Sequence, residues 1–264
     1  MKTNLILIFV LFMFFGCNNV ESAVKKSAED KFKDEFLEYN ISFLWFDNLA
    51  IGSIAFLSLQ EPGMYQLVMQ AKTRGLAARF TRNRIERFET VVDVLSDGSL
   101  RPLMHSSHRI TGTGDSKSER TVRYTFDYDS GQITYERIRN GAVVDNSDFY
   151  FNPEYPVYDI LSALYNFRLG FFGTPDTSAI SIPTFHHRTG EEVIEIERLT
   201  NLSSKDRRFF NNDSIFFRVL IDPSIFNTSS RDVLISFDSE MRLEKGIIKR
   251  LVGLGDLRGE LRSE

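Results

Sequence analysis

Alternation with a period of two, repeated along most of the chain, limits this sequence more than any single motif. Val122, Tyr124, Phe126 and Tyr128 alternate with Thr121, Arg123, Thr125 and Asp127. That is the pattern of a strand with one face in a core and the other in water. Asp129-Ser130-Gly131 turns the chain into Ile133 and Tyr135, and Asn140-Gly141 is a strong hairpin signal. Tyr39, Ile41, Phe43 and Trp45 begin the same theme. Ile51 to Leu59 follows, then a turn at Glu61-Pro62-Gly63 and a strand through Tyr65, Leu67 and Met69. Ile85 to Leu95, Ile180 to Ile182, Val193 to Ile196, Ile215 to Ile221, Val233 to Phe237 and Ile247 to Leu251 read as further strands. So many short strands predict a mainly β protein, with a strongly curved antiparallel sheet or an open β-barrel that manages its edges by curling.

One segment departs from this rhythm. Ile160, Leu161, Leu164, Tyr165 and Phe167 fall at helical spacing within Val157 to Phe167, with Pro156 or Asp159 marking the start. The expected fold therefore carries one or two helices. The chain holds 24 phenylalanines, nine tyrosines and one tryptophan. Sheet packing accounts for such rings, and an aromatic-lined cavity for an apolar ligand is the functional counterpart.

The first residues read as an export signal. Lys2 precedes an apolar run from Leu5 to Phe15, too short to span a bilayer of about 30 Å and of the length of a signal-peptide core. Gly16-Cys17 after that core resembles the lipobox of bacterial lipoproteins, although Phe14 and Phe15 depart from the usual leucine and small residue. The resemblance implies removal of residues 1–16 and acylation of Cys17, the only cysteine. An ordinary secreted protein cleaved after Ser22 is the alternative, and it would carry a lone reactive thiol into an oxidising compartment. Asn18, in place of an aspartate resembling the inner-membrane retention signal of enteric bacteria, favours the outer membrane, facing the periplasm. Residues 17–35 are polar and read as a tether, part of it a short helix. Residues 36–264 read as a single curved β domain.

Tyr158 to Arg168, with Asp159, Leu161-Ser162, Tyr165 and Arg168 in that order, resembles the exported bacterial family of domain of unknown function 3108. Weaker similarity extends over Tyr39 to Phe56 with Gly52, around Phe126-Asp127-Tyr128, and over Met241 to Leu251 with Gly246. Thr200 to Ser214 looks like an insertion, and the C-terminus like a charged tail. The resemblance implies an envelope protein with a curved sheet, similar in shape to periplasmic lipid and lipoprotein carriers.

The net charge of −4 argues against nucleic acid as a partner, since phosphate binding needs a clustered basic surface. No Gly-x-Ser-x-Gly elbow occurs, and no carboxylate pair has an identifying spacing. Thr111 to Ser116 lacks the ending of a phosphate loop and reads as a strand connection. His186-His187 stand near Glu191, Glu192 and Glu195, but adjacent strand residues point to opposite faces. His105 and His108 add no second ligand set. No metal or other cofactor is expected. Asp159, Ser162, Tyr165 and Arg168 read as a helix locked onto the sheet, or as a polar cluster at a cavity mouth. Arg79, Arg82, Arg84 and Arg87, with Arg74 nearby, read as a solvated strand face with acidic neighbours, or as contacts to anionic envelope groups. The leading expectation is a lipid-anchored, non-catalytic binding or assembly module whose partners are the membrane and an apolar or glycolipid ligand. A structural component of an envelope complex comes second, and an enzyme acting on envelope polymers third.

Overall fold

The computed structural model describes residues 28–43, 46–173, 177, 179–186, 190–211, 214–251 and 255–262. The signal, Cys17, Trp45 and His187 lie outside them. A helix α1 (Ala28–Phe32) precedes β1 (Phe36–Phe43), β2 (Phe46–Ser58) and β3 (Met64–Thr73). Then come α2 (Gly75–Phe80), β4 (Ile85–Val94), β5 (Leu100–Thr111), β6 (Ser118–Asp127), β7 (Gln132–Arg139) and β8 (Ala142–Tyr150). Helix α3 (Ile160–Leu169) leads into β9 (Ala179–His186) and β10 (Gly190–Leu199). The chain ends with α4 (Ser204–Arg207), β11 (Ile215–Leu220), α5 (Pro223–Phe226), β12 (Asp232–Phe237), β13 (Leu243–Leu251) and β14 (Gly255–Leu261).

All the strands belong to one antiparallel sheet of 14, in the order β8-β7-β6-β5-β4-β3-β2-β1-β14-β13-β12-β11-β10-β9. Each strand pairs with its neighbour in sequence, except where β1 meets β14 through Tyr39↔Leu261 and Ile41↔Gly259. The termini of the described domain therefore meet in the middle of the sheet, and the middle of the chain supplies its edges. The Asn140-Gly141 hairpin is present: both residues have positive φ, 49° and 84°, between the paired Arg139 and Ala142. Glycine and asparagine enter that backbone region at least cost.

The sheet curls around α3. On its helix-facing side Tyr65, Leu67, Val92, Leu100, Ile54 and Phe56 join Leu161 and Tyr165 in one buried cluster. Ile180, Ile182, Ile194, Ile196, Phe217 and Phe237 enclose Ala163 and Phe167 in a second. The helix thus packs on both wings of the sheet. Among the described residues no ladder joins the edge strands β8 and β9. Their ends are linked by side chains instead: Phe185 of β9 packs against Tyr124, Phe126 and Phe149, with ring centroids 4.8, 5.0 and 6.1 Å away. The shape is an open barrel closed in part by aromatic contact.

The expectations need correction at the N-terminal stretch, the C-terminal stretch and the number of helices. The polar stretch up to residue 35 is not all tether. Ala28 and Phe32 are buried against the core, and Phe32 meets Tyr165 edge-on at 4.9 Å. The packed domain therefore begins no later than Ala28, because the polar residues of α1 face outward around two apolar ones. The charged C-terminus is the central strand β14. There Leu257, Gly259 and Leu261 alternate with Asp256, Arg258 and Glu260, which hid the apolar face behind charge. In the insertion-like stretch, Leu202, Phe209 and Phe210 pack on the outer face of the sheet over Phe216, Leu234 and Ile247. The helices among the described residues number five rather than one or two, four of them a turn or two long.

Candidate functional site

The motif predicted around Asp159 is where the structure concentrates its buried polar groups. Asp159 sits just before α3 with extended backbone, and its Oδ1 accepts from the amides of Leu161 and Ser162 at 2.8 and 3.4 Å. The Ser162 hydroxyl donates to Oδ2 at 2.6 Å and accepts from the Asp159 amide at 3.0 Å, completing a reciprocal cap. The helix ends at Gly170, whose φ of 81° is the left-handed conformation that such an end requires.

The sheet holds this cap from the other side. The Thr90 hydroxyl of β4 donates to Asp159 Oδ1 at 2.7 Å. His105 Nδ1 of β5 lies 2.9 Å from Thr90 Oγ1 and 3.1 Å from Asp159 Oδ1. The single Thr90 proton goes to the carboxylate, so Nδ1 of His105 carries its own hydrogen. Burial alone would raise the Asp159 carboxyl, but facing His105 and the hydroxyls of Ser162 and Thr90 outweigh it and hold its pKa below the ordinary value.

Farther along α3, Asn166 behaves like a strand neighbour. Its side chain accepts from the Leu100 amide at 2.9 Å and donates to the Leu100 carbonyl at 2.7 Å. Arg168 donates to both carboxylate oxygens of Glu35 at 2.6 Å and to the Met241 carbonyl at 2.7 Å. Its guanidinium lies 4.5 Å from the Phe32 ring centroid. Tyr165 also donates to Glu35, at 3.2 Å, and burial pushes its phenol well up. Lys31 donates to the Arg168 carbonyl.

All four predicted residues of this motif come together, but not at a cavity mouth. Asp159 and Arg168 are each 3% exposed, and Ser162 and Tyr165 are fully buried. Each polar atom of the cap faces another protein group, so the cluster fastens the helix to the sheet. Sequence reasoning missed Glu35, Thr90, His105 and Asn166, whose partners lie on distant strands. His105 carried no clear signal, since its strand places Pro102 and Ser107 on the same face.

The arginine run is not brought together. Arg79 is exposed on α2, and Arg82 donates to the Ser116 carbonyl at 3.0 Å. Arg84 pairs with Glu86 at 2.6 Å and Arg87 with Glu89 at 2.8 Å. Arg84 precedes β4 and Arg87 lies within it. The acidic neighbours of the solvated-face reading are there. Among the described residues no three His, Cys, Asp or Glu side chains converge as a metal set, and no helix is long and apolar enough to cross a membrane.

The concave face also carries apolar side chains that are only partly buried. Ile41, Met69, Phe88, Val122, Ile235 and Ile248 are each half-buried. Phe226 of α5 reaches across to Phe88, edge-on at 6.0 Å. The small residues Gly52, Gly246 and Gly259 share this face, and a side chain added at Gly259 would meet nothing within 4 Å. Two further concavities, of about 440 and 380 Å³, lie on the outer face with charged linings: Lys205, Asp206, Lys249 and Asp256 in one, Arg74 and Arg262 in the other.

The family model for proteins of unknown function DUF3108 matches residues 38–239. The chain belongs to the DUF3108 family. The matched region takes in α3 with its cap, Thr90, His105 and Asn166, and stops before β13. Glu35, the partner of Arg168, lies three residues ahead of it. No curated protein matches the chain. Among solved structures it is similar to a beta-barrel-like protein of domain of unknown function DUF1849 from Brucella abortus. The identity is 9% and the TM-score 0.48, over 86% of this chain and 95% of that one.

Proposed function

We propose that this DUF3108 protein is a lipid-anchored, non-catalytic binding module of the cell envelope that holds an apolar or glycolipid ligand against the concave wall of its sheet. The observation that carries this reading is the half-buried apolar wall beyond α3. Covering the remaining apolar surface there is favourable by about 25 cal/mol per Å². The buried polar residues are engaged in holding α3, which supports a rigid scaffold in preference to a reaction centre. The lipobox-like Gly16-Cys17 supports a lipid anchor, and Asn18 favours the outer membrane, facing the periplasm.

Native mass spectrometry of the protein extracted from membranes tests the binding reading. A bound amphiphile that organic extraction removes is the expected result, and protein that is empty under every mild extraction would sink it. Attachment is tested separately: Cys17→Ser should leave the membrane fraction and lose acyl label, and unchanged attachment would remove the anchor. A second reading, an interaction module of an envelope complex, is favoured by β8. That edge strand is exposed over nearly its whole length, Val143 and Val144 included, and such an edge accepts an added strand. A protein that co-purifies while the wall stays empty would favour it.

A further inference from the structure

Hydrogen-bonded register arranges charge on the concave face in a way the sequence run did not foretell. Glu86 of β4, Arg109 of β5, Arg120 of β6 and Arg139 of β7 are successive cross-strand partners. Directly paired residues share a face, and alternate positions along a strand share it too. This row therefore stands on the same face as Thr90, His105 and Tyr124, the row that closes under the α3 cap. Between the two lies the row Phe88, Ser107, Val122 and Arg137. Moving away from the helix, the wall thus runs from the largely buried Thr90 row, through a half-buried row in which Phe88 and Val122 alternate with Ser107 and Arg137, to the arginine row.

The outer row is poorly neutralised. Arg109 is bound to Glu86 at 2.5 Å, and Glu86 is shared with Arg84. Arg137 of the inner row pairs with Asp145 at 3.0 Å. Asp222 caps α5, accepting from the Ser224 amide at 2.8 Å and the Ser224 hydroxyl at 2.6 Å. Arg120 and Arg139 are exposed and, among the described residues, have no ion-pair partner. Like charges directly opposite one another destabilise a sheet, so this pair costs stability unless an anion lies between the two. Guanidinium forks suit the planar, two-oxygen face of a phosphate or carboxylate.

We infer that Arg120 and Arg139, with Arg109, bind the phosphate or carboxylate head of a single-chain amphiphile. Its tail lies along Val122 and Phe88 toward Met69 and Ile235. This rests on the binding reading of the concave wall and names the ligand class. Head and tail are recognised separately, so the two parts can be tested apart.

The test is calorimetric titration of the full chain, held in an uncharged amphipol, with octyl phosphate, inorganic phosphate and octyl glucoside. Octyl phosphate should bind at least tenfold more tightly than either of the others, and less tightly as salt rises. The double variant Arg120→Gln, Arg139→Gln should lose at least tenfold in octyl phosphate affinity and keep its octyl glucoside affinity and circular dichroism spectrum. Arg79→Gln should change nothing. A double variant that still binds octyl phosphate like the parent overturns the arginine site and leaves the apolar wall standing. Equal affinity for inorganic phosphate and octyl phosphate overturns it as well, because the tail then contributes nothing. If neither amphiphile binds, the wall reading fails together with the inference.

Discussion

Glu35 and Arg168 stand 133 positions apart and are joined by two bonds of 2.6 Å, with the arginine side chain 2% exposed and the glutamate 11%. Breaking a buried pair from one side leaves a charge unanswered, which costs about 3–5 kcal/mol. Glu35→Gln should lower stability in urea denaturation by about that amount. Arg168→Leu should cost more, because it also gives up the Met241 carbonyl and the Phe32 ring. Combining Glu35→Gln with Arg168→Leu should cost less than the sum of the single changes. Additive single-variant losses would show that the two side chains act independently.

Acid should reach the protein through Asp159. Its folded-state pKa lies below the unfolded value of about 3.9. The ionised carboxylate therefore stabilises the fold at pH values above about 4, and this contribution disappears as pH falls through the folded-state pKa. Asp159→Asn keeps a capping oxygen but removes the titration. It should flatten the loss of stability below about pH 4, followed by circular dichroism across a pH series. A variant with the parent's acid limb would place that sensitivity elsewhere.

Asn166 completes the hydrogen bonding of a strand end from inside a helix. Asn166→Leu leaves the Leu100 amide and carbonyl buried without partners. At about 1–3 kcal/mol for each unsatisfied group, the thermal midpoint should fall by several degrees. Faster amide exchange at Leu100 is the specific readout, and unchanged protection there would count against the clasp.

The aromatic seam should govern how tightly the barrel stays curled. Phe185 is only half-buried, so Phe185→Ala should cost about 2 kcal/mol, less than the 3–5 of a core position. The loss should be local. Hydrogen exchange in β8 and β9 should rise more than in β1 and β14, whereas a uniform rise would mean that the seam contributes no more than general packing.

The sheet was legible because most strands write their burial into alternation. Val122 to Tyr128 does so plainly, and so does the helix with its Asp159 cap. The strands that escaped are instructive. β14 presents Gly259 between Leu257 and Leu261, so its inner face is partly blank and its charges dominate. β5 carries Pro102, His105 and Ser107 on the face that other strands fill with apolar groups. The motif residues were found because they fall within a single helix turn or two of one another. Their partners were not, because Glu35, Thr90 and Leu100 reach α3 only after the sheet has curled. For the same reason the run Arg79 to Arg87 looked like one patch in sequence, while the row Arg109, Arg120 and Arg139 exists only in the register.

The meeting of β1 and β14 at the centre has a kinetic consequence. Every other strand pairing joins strands consecutive in the chain, so each wing can zip from local contacts. The Tyr39↔Leu261 ladder must instead close almost the whole chain, and non-local pairing of that kind slows folding. A circular permutant opened at the exposed turn around Tyr155, with the old termini linked, would turn that ladder into one more local connection. It would leave α3 to bring β8 and β9 together across the new gap, and refolding should be faster than in the natural chain order.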